Sequence, residues 1–243
     1  METIAFLADD HWPFADRRCI EVQHKMLKAM KPDVIWHLGD LVDFAPLSRF
    51  RDAAGYEHTI QAELDLAGAR LARLRKEHPK AVIRLTKANH EYRLDSYIQA
   101  NASELAYLRA LSLGALLGLD ENDIELVTGR RYLVRGTFAV KLGSKYGVYA
   151  TKQELLTEGR SLVHGHTHKS DQWVQRTPGK RPKLGYSIGC SCKLDPKYKE
   201  KDCEPSNWNH GMAFMSIEGS EWGMENIVIH NGKATFRGKV YEA

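Results

Sequence analysis

Long apolar runs are missing from this sequence, and cysteine is scarce. No stretch approaches the roughly 20 apolar residues that a membrane-spanning helix needs, which excludes such a span. The first residues, METIAFLADDH, follow a strand pattern at once and leave no room for the basic and apolar regions of a signal peptide. We therefore expect a cytoplasmic protein with no membrane partner, whose 4 cysteines are reduced thiols.

The few cysteines also bear on structural metal binding. They are Cys19, Cys190, Cys192 and Cys203. The last three could form a small zinc site with His210, but the C-x-C spacing is not one of the tight zinc signatures. Partly buried thiols are the simpler interpretation.

A dense stripe of one charge is missing as well. The formal net charge is +4, and basic residues are spread along the chain apart from the clusters RTPGKRPK and KLDPKYKEK. Proteins that track nucleic acid usually carry a denser basic stripe. An ordinary solvated surface is therefore favoured, and a polyanionic partner is only weakly indicated.

The sequence also shows no repeat, low-complexity tract or linker. With 43% hydrophobic and 27% charged residues, it is typical of a globular protein, and we expect a single domain over residues 1–243.

The first half of the chain alternates strands and helices. TIAFLADD, DVIWHLGD and AVIRLTKANH are typical of buried strands, and helical spacing occurs in RRCIEVQHKMLKAM and over about 56–77 and 92–117. After Asp120 come short strands: IELV, RYLV, TFAVKL, SLVHG, DQWVQR, LGYSIG, MAFMSIE and ENIVIH. An Asn231-Gly232 turn signal then precedes a closing strand, KATFRGKVY. We expect an α/β fold with two sheets face to face and helices outside.

Four of the predicted strands are followed by residues that can bind metal. These residues are Asp9 and His11; Asp40 and Asp43; Asn89, His90 and Glu91; and His166 and His168. Histidines at alternate positions of an extended segment point the same way, although an isolated pair is more often a solvated polar turn. Because strand ends meet at one edge of a sheet, the four groups together predict one shared site.

The residue types in this set favour particular metals. Carboxylate and amide oxygens with imidazole and no thiolate suit Mn(II), Fe, Zn, Ni or Mg better than a structural zinc or an iron–sulfur cluster. A carboxylate can bridge two cations about 3.5–4 Å apart, which stabilises both the attacking and the leaving oxygen of a phosphoryl transfer. Asp40 is the first candidate for that bridge.

The ordered motifs D-x-H, G-D-x-x-D, N-H-E and G-H-x-H, between residues 9 and 168, resemble the calcineurin-like metallophosphoesterase superfamily. LVDFAPLSRF and the region from GCSCKLDPKY to NW more weakly resemble compact phosphoesterases of phage genomes, which would place the protein in the host cytoplasm. The resemblance implies a four-layer α/β/β/α sandwich of two mixed sheets flanked by helices. It also implies a hydrolase of phosphomonoesters or phosphodiesters with two divalent metal ions, Mn(II) being the first expectation, and a metal-bound hydroxide as nucleophile.

The resemblance further assigns roles to individual residues. The implied ligands are Asp9, His11 and His168 for one metal, Asp40 as the bridge, and Asn89 and His166 for the second metal. His90 would act as general acid or stabilise the departing oxygen.

Three further residues would support this chemistry. Asp43 and His37 would orient ligands, although ordinary turn and strand residues explain them nearly as well. Arg93 would bind a substrate phosphate through its planar guanidinium, with a salt bridge to a neighbouring carboxylate such as Glu91 as the alternative.

The chain departs from the family pattern at two positions. Ala88 stands where the third motif normally has Gly, which matters only if the site needs a positive φ or very close packing. More seriously, the family usually has a further His before a Gly at a strand end preceding G-H-x-H, and here that residue is Leu142. His164 is no substitute, because it lies inside the predicted strand. The second metal site is therefore predicted to lack one nitrogen and to bind more weakly.

Three functions follow as hypotheses. A hydrolase of a small, accessible phosphoester leads, since the sequence shows no inserted cap and no DNA-binding module. A DNA exonuclease or endonuclease of the same superfamily is second, so nucleic acid stays open as a partner. The third is a catalytically weakened metal- or phosphate-binding module, which Leu142 favours and which His90, Asp40 and Asn89 oppose. The oligomeric state stays open.

Overall fold

Two mixed β-sheets lie face to face in the computed structural model, which describes residues 1–48, 58–195 and 207–243. The helices are α1 (Arg17–Met30), α2 (Ile60–Glu77), α3 (Glu91–Asn101), α4 (Leu113–Leu117) and α5 (Ala150–Glu158). Short 3-10 turns occur at Ala45–Leu47, Ser103–Leu105 and Arg109–Leu111. The strands are β1 (Glu2–Leu7), β2 (Val34–His37), β3 (Val82–Thr86), β4 (Ile124–Val127), β5 (Tyr132–Val134), β6 (Phe138–Val140), β7 (Leu162–His164), β8 (Ser170–Gln175), β9 (Lys183–Ile188), β10 (His210–Glu218), β11 (Glu221–Ile229), β12 (Lys233–Phe236) and β13 (Lys239–Glu242).

The first sheet has the strand order β11-β10-β1-β2-β3-β4, and the second has the order β5-β6-β7-β9-β8. Strands β1 to β4 run parallel, and β10 pairs antiparallel with β1. In the second sheet, β6, β7 and β9 are parallel and both edge strands are antiparallel. The parallel arrangement brings the ends of β1, β2 and β3 to one edge of the first sheet.

The core is divided by the two sheets into layers. Ala5 and Leu7 of β1 pack toward α1 and α2, whereas Ile4 and Phe6 pack into the space between the sheets. This follows from the alternation of side chains along a strand. On the outer face of the second sheet, Leu155 of α5 packs on that sheet. The layers confirm the predicted α/β/β/α sandwich.

Local signals explain where the first helices begin and end. The Asp16 side chain accepts hydrogen bonds from the backbone N–H groups of Arg18 and Cys19 at the start of α1, and Thr59 caps α2 in the same way. Helix α1 ends at Lys31, which adopts a left-handed conformation before Pro32. The predicted helix over 56–77 begins at Ile60, and residues 56 and 57 lie outside the described residues.

Two elements differ from the sequence prediction. Helix α5 was not predicted, because its buried face includes the polar residues Thr151 and Glu154 and so lacks an apolar stripe. The segment KATFRGKVY is not one strand but the hairpin β12–β13, which turns at Arg237 and Gly238 with φ of 48° and 74°. Arginine is not a residue that favours positive φ, so this turn had little signal.

The predicted turn at Asn231 and Gly232 is confirmed. Their φ values are 49° and 69°, as a type I′ turn requires. Among the described residues, no helix is both long and apolar enough to cross a membrane. A single domain over residues 1–243 stays a prediction.

Candidate metal centre

The loops after β1, β2, β3 and β7 meet at one edge of the sandwich. The backbone N–H of Asp9 donates to Gly39 O at 3.1 Å, and that of His11 donates to Asp40 O at 3.0 Å. The N–H of His166 donates to both carboxylate oxygens of Asp9, at 2.9 and 3.1 Å. The N–H of His90 also donates to Asp40 Oδ1 at 3.0 Å. Backbone N–H groups therefore hold all four predicted motifs against each other.

Five of the predicted ligands have left-handed backbone conformations. They are Asp9, His11, Asp40, His166 and His168, with φ between 49° and 69°. Such a conformation costs roughly 1–3 kcal/mol for a residue other than glycine and is concentrated at functional sites. The surrounding hydrogen bonds hold the backbone in this conformation, which is a physical sign of a built site.

Asp9, His11 and His168 form the tightest of the predicted clusters. Each offers a ligand atom within 4.8 Å of the others, and all three are buried. The Nε2 atoms of His11 and His168 are 3.1 Å apart, and Asp9 Oδ1 lies 3.6 Å from His168 Nε2. Two imidazole nitrogens at that distance repel unless a proton or a cation lies between them, so this donor set fits a metal ion.

Asp43 is in contact with two of the imidazoles of the site. Its Oδ1 lies 3.0 Å from His11 Nδ1 and 2.8 Å from His90 Nδ1. Burial alone would raise the pKa of Asp43, but the hydrogen bonds from the two imidazoles outweigh it and hold that pKa far below its usual range. The charged carboxylate therefore holds His11 with Nε2 toward the cluster.

Asp40 lies between the first cluster and His166. His11, Asp40 and His90 also offer ligand atoms within 4.8 Å of one another, and Asp40 Oδ2 lies 3.8 Å from His166 Nδ1. Burial opposes the charge on Asp40, yet the nearby imidazoles keep its pKa below the usual range. Asp40 is therefore close to imidazoles from three of the motifs.

The side of the site toward Asn89 is more open. Asn89 is exposed and lines a cavity of about 770 Å³ that also has Leu142 in its wall. His166 Nε2 is buried and has no hydrogen-bond partner within the described ranges. His164 lies in β7, with Nδ1 2.8 Å from Gly165 O, as the strand prediction implies. On this side, His166 therefore has a ring nitrogen without a partner in the described ranges, and Leu142 stands where the family pattern predicts a further histidine.

His90 and Arg93 lie side by side above the cluster. Arg93 Nη2 is 3.0 Å from His90 Nε2, and Arg93 Nη1 donates to Asp43 O at 2.8 Å. The alternative, a salt bridge to a neighbouring carboxylate, is also present: Arg93 Nη1 lies 3.8 Å from Asp43 Oδ1, so the partner is Asp43 rather than Glu91. Burial lowers the pKa of His90, but the carboxylates of Asp40 and Asp43 raise it more, to about 9. An imidazole and a guanidinium side by side are suited to a phosphate.

Glu91 has a role that sequence reasoning missed. Its buried carboxylate accepts hydrogen bonds from four backbone N–H groups, at 2.7 to 3.3 Å. These belong to Asp40, Leu41, Val42 and Ala88. Glu91 thus joins the second motif to the third. The signal in the sequence was an acidic residue directly after Asn89 and His90, just ahead of the helical segment predicted from residue 92.

At two glycines of the motifs, neighbouring atoms lie so close to the backbone that a side chain would not fit. A Cβ at Gly39, whose φ is 113°, would lie 2.3 Å from the Ala88 methyl. Ala88 is therefore tolerated because its neighbour has no side chain, and its own φ is not positive. A Cβ at Gly165 would lie 2.6 Å from Asp9 Oδ2, so the G-H-x-H motif needs glycine to bring its histidines next to Asp9.

His37 lies behind the site rather than in it. Its Nε2 is 3.1 Å from Asp10 Oδ1, and its Nδ1 accepts from Gly39 N at 3.3 Å. Asp10 in turn lies 3.4 Å from Nε of the buried Arg70. His37 thus contacts Asp10 and not a predicted metal ligand, and it supports the loop that carries Asp9 and His11.

The cysteines give only part of the suggested zinc site. Cys190 and Cys192 are buried, and their thiols lie with His168 in a group whose ligand atoms are within 4.8 Å. His210 Nε2 instead lies 2.8 Å from Cys192 O. Cys203 and most of the basic cluster KLDPKYKEK lie outside the described residues. The histidine beside these two thiols is therefore His168, not His210.

The fold and the site define a class: an α/β sandwich with clustered Asp and His side chains at its strand ends. Comparison with known proteins gives the family. The family model for calcineurin-like phosphoesterases matches residues 2–186, and the chain belongs to that family.

Relatives and solved structures support the same assignment. The chain is similar to the Gene 54 proteins of Mycobacterium phage L5, with 22% identity, and of Mycobacterium phage D29, with 24% identity. In both cases 98% of each chain is covered. The fold is similar to that of Chaetomium thermophilum Vps29, with a TM-score of 0.52, 12% identity and coverage of 100% of this chain and 94% of that one.

Proposed function

We propose that the chain is a hydrolase of phosphomonoesters or phosphodiesters that depends on two divalent metal ions. The observation that carries this proposal is the convergence of Asp9, His11 and His168, each with a ligand atom within 4.8 Å of the others, beside the carboxylate of Asp40. The family is one of phosphoesterases, and its description supports the class of reaction.

The first metal would be held by the Asp9, His11 and His168 cluster, and Asp40 would bridge to a second metal beside Asn89 and His166. Mn(II) is the proposed ion, since the set mixes carboxylate, amide and imidazole, and Fe, Zn, Ni and Mg are alternatives. Two such cations, when bound, supply an activated water and neutralise charge on the phosphoryl group.

The protein's own part in the reaction is to orient groups and to move a proton. Asp43 holds Nδ1 of His90 at 2.8 Å, which leaves Nε2 to face the substrate beside Arg93. His90 would donate a proton to the leaving oxygen or stabilise its charge. Arg93 would contact a non-bridging phosphate oxygen.

The proposed setting is the cytoplasm of a phage-infected cell. Both Gene 54 proteins come from mycobacteriophages and match nearly the whole chain. A protein with this origin would act where phage components are made.

A hydrolysis assay with and without added Mn(II) tests the proposal. Mononitrophenyl and bis-nitrophenyl phosphate distinguish monoesterase from diesterase activity, and single-stranded and duplex DNA test the nuclease alternative. We expect Mn(II)-dependent turnover that Asp40→Asn reduces together with metal content. Asp65→Asn, an exposed acid on α2, is the matched control and should behave as the unaltered protein.

A second candidate function rests on Leu142. If this residue deprives the site of a metal ligand, the chain would bind metal or phosphate without turnover. A purified protein that carries no transition metal and stays inert with added Mn(II) would favour this module over the hydrolase.

A further inference from the structure

Beyond the metal ligands, a cavity extends from Asn89 to the loop between β4 and β5. Its volume is about 770 Å³, within the range of roughly 300–1,000 Å³ that ligand pockets occupy. Four cations line it, namely Lys87, Arg130, Arg131 and Lys141, against the single acid Glu158. The predicted ligand Asn89 lines the same cavity, so a substrate held at the metals could extend into it.

Most of these cations are already paired. Arg131 Nη1 lies 2.7 Å from Glu158 Oε1, Lys141 Nζ lies 2.6 Å from Glu154 Oε2, and Lys87 pairs with Asp95. Arg130 is exposed and has no ion pair with any residue in the described ranges. It is therefore the cation that is available to a second phosphate.

Two exposed tyrosines accompany this surface: Tyr92 is in the cavity wall, and Tyr146 follows the lining residue Ser144 by two positions. Tyr146 is 75% exposed, and its ring centroid lies 5.0 Å from that of the predicted ligand His166. Tyr92 lines the cavity and is 42% exposed. An exposed ring held beside a metal ligand is poorly explained by packing, since most of its apolar surface stays in water.

We propose that this surface binds single-stranded nucleic acid and that the strand is the substrate of the metal centre. Bases of a single strand are free to stack on tyrosine rings, while a basic groove follows the backbone phosphates. One phosphate would lie at the metals, the adjoining base would stack on Tyr146, and another phosphate would meet Arg130. This inference rests on the proposed function and names the class of its substrate.

A duplex does not suit this arrangement, because its bases are stacked on each other and present no free face. A free nucleotide shares the chemistry of base and phosphate, but it does not extend along the groove. The strand is the occupant that uses both the rings and the distant cation.

The test measures binding of a fluorescently labelled oligo(dT) strand by anisotropy, in EDTA and at low salt. Because no metal is present, the measurement needs no catalysis. Tyr146→Ala should weaken binding about tenfold, within the loss typical of one stacking ring, and Tyr146→Phe should retain it. Arg130→Ala should weaken binding severalfold and reduce the slope of log affinity against log salt by about 0.7.

Exposed residues elsewhere provide matched controls. Tyr107 is 93% exposed, and Arg176 follows β8 at the opposite edge of the second sheet. Tyr107→Ala and Arg176→Ala should leave oligo(dT) binding unchanged. Because Tyr146 and Arg130 are exposed, their truncation does not threaten the fold.

Three results would overturn the inference. They are equal binding of oligo(dT) by the Tyr146→Ala, Arg130→Ala and control variants, binding of ATP as tight as that of the strand, and tighter binding of duplex than of single strand. Hydrolysis of bis-nitrophenyl phosphate without strand binding would reject the inference and keep the proposed function. Strand binding without any hydrolysis would reject the proposed function and, with it, the strand's role as substrate, and would keep only the binding surface.

Discussion

The two sides of the candidate metal centre are built differently. Asp9, His11 and His168 are buried, and Asp43 orients one of them. On the other side Asn89 is exposed, and the cavity wall carries Leu142, which has 7% of its surface exposed. On the proposed assignment, the first side would have its ligands in place before a metal arrives, whereas the second would have fewer protein ligands and more positions for water or substrate. The difference implies unequal affinities for two ions at one site.

The largest expected effect is on turnover and leaves metal binding nearly unchanged. His90→Ala should lower turnover by roughly 10² to 10⁴, the range typical of one proton-transfer group, while metal content stays nearly unchanged. The loss should shrink for substrates with good leaving groups, which kcat measurements over a series of nitrophenyl and alkyl esters would show. Equal losses across that series would mean that His90 is not the acid.

The next largest effect is on stability and concerns the buried charge of Arg70, behind the first side of the centre. Arg70 is 3% exposed and reaches Asp10 Oδ2 and Gln23 Oε1. Its removal by Arg70→Ala would leave the buried Asp10 charge short of a partner and should cost about 3–5 kcal/mol in free energy of unfolding. Urea denaturation measures this cost. Arg84→Ala, which removes a more exposed pair with Glu125, should cost at most about 1 kcal/mol.

Asp43→Asn should reduce the difference in metal affinity between the two sides of the centre. Loss of the carboxylate that orients His11 is expected to lower affinity for the first metal by about 10- to 100-fold, as for other groups that orient a ligand. Equilibrium dialysis against Mn(II) would measure the change, with Asp65→Asn as the control. Unchanged affinity of the first ion would show that the 3.0 Å contact does not organise the ligand.

Leu142→His should also reduce the difference in metal affinity between the two sides, in this case by raising the affinity of the second side. The added imidazole would lie in the cavity wall shared with Asn89, so we expect tighter binding of the second ion and severalfold higher activity at low Mn(II), with little change at saturation. Leu142→Met keeps the volume without adding a nitrogen and is the control. If the histidine and methionine variants have the same activation curve, Leu142 does not face the site.

Much of this architecture could be predicted because its signals are local. Buried strands end in Asp, Asn or His, and parallel strands necessarily bring those ends together. The clustering of Asp9, His11 and Asp40 follows from that rule, whereas His168 follows β7 of the second sheet and joins them through the packing of the two sheets. Helix α5 and the turn at Arg237 could not be predicted, since a mixed buried face and an arginine at positive φ run against ordinary propensity.

The supporting contacts were also beyond sequence reasoning. Glu91 begins α3 and His37 ends β2. Leu41, one partner of Glu91, lies 50 positions away, and Asp10, the partner of His37, lies 27 positions away. Only the folded backbone shows that Glu91 receives four N–H groups while His37 supports Asp10. Patterns along a chain reveal which residues gather, but not which of them contacts the next.

The most direct test of unequal sites is an equilibrium titration of the metal-free protein with Mn(II), followed by electron paramagnetic resonance. The account predicts one ion bound at low free Mn(II) with the spectrum of an isolated ion, and a second at clearly higher concentration, when the spectrum of a coupled pair appears. Binding of two ions together with a single affinity, and a coupled spectrum from the first addition, would contradict it.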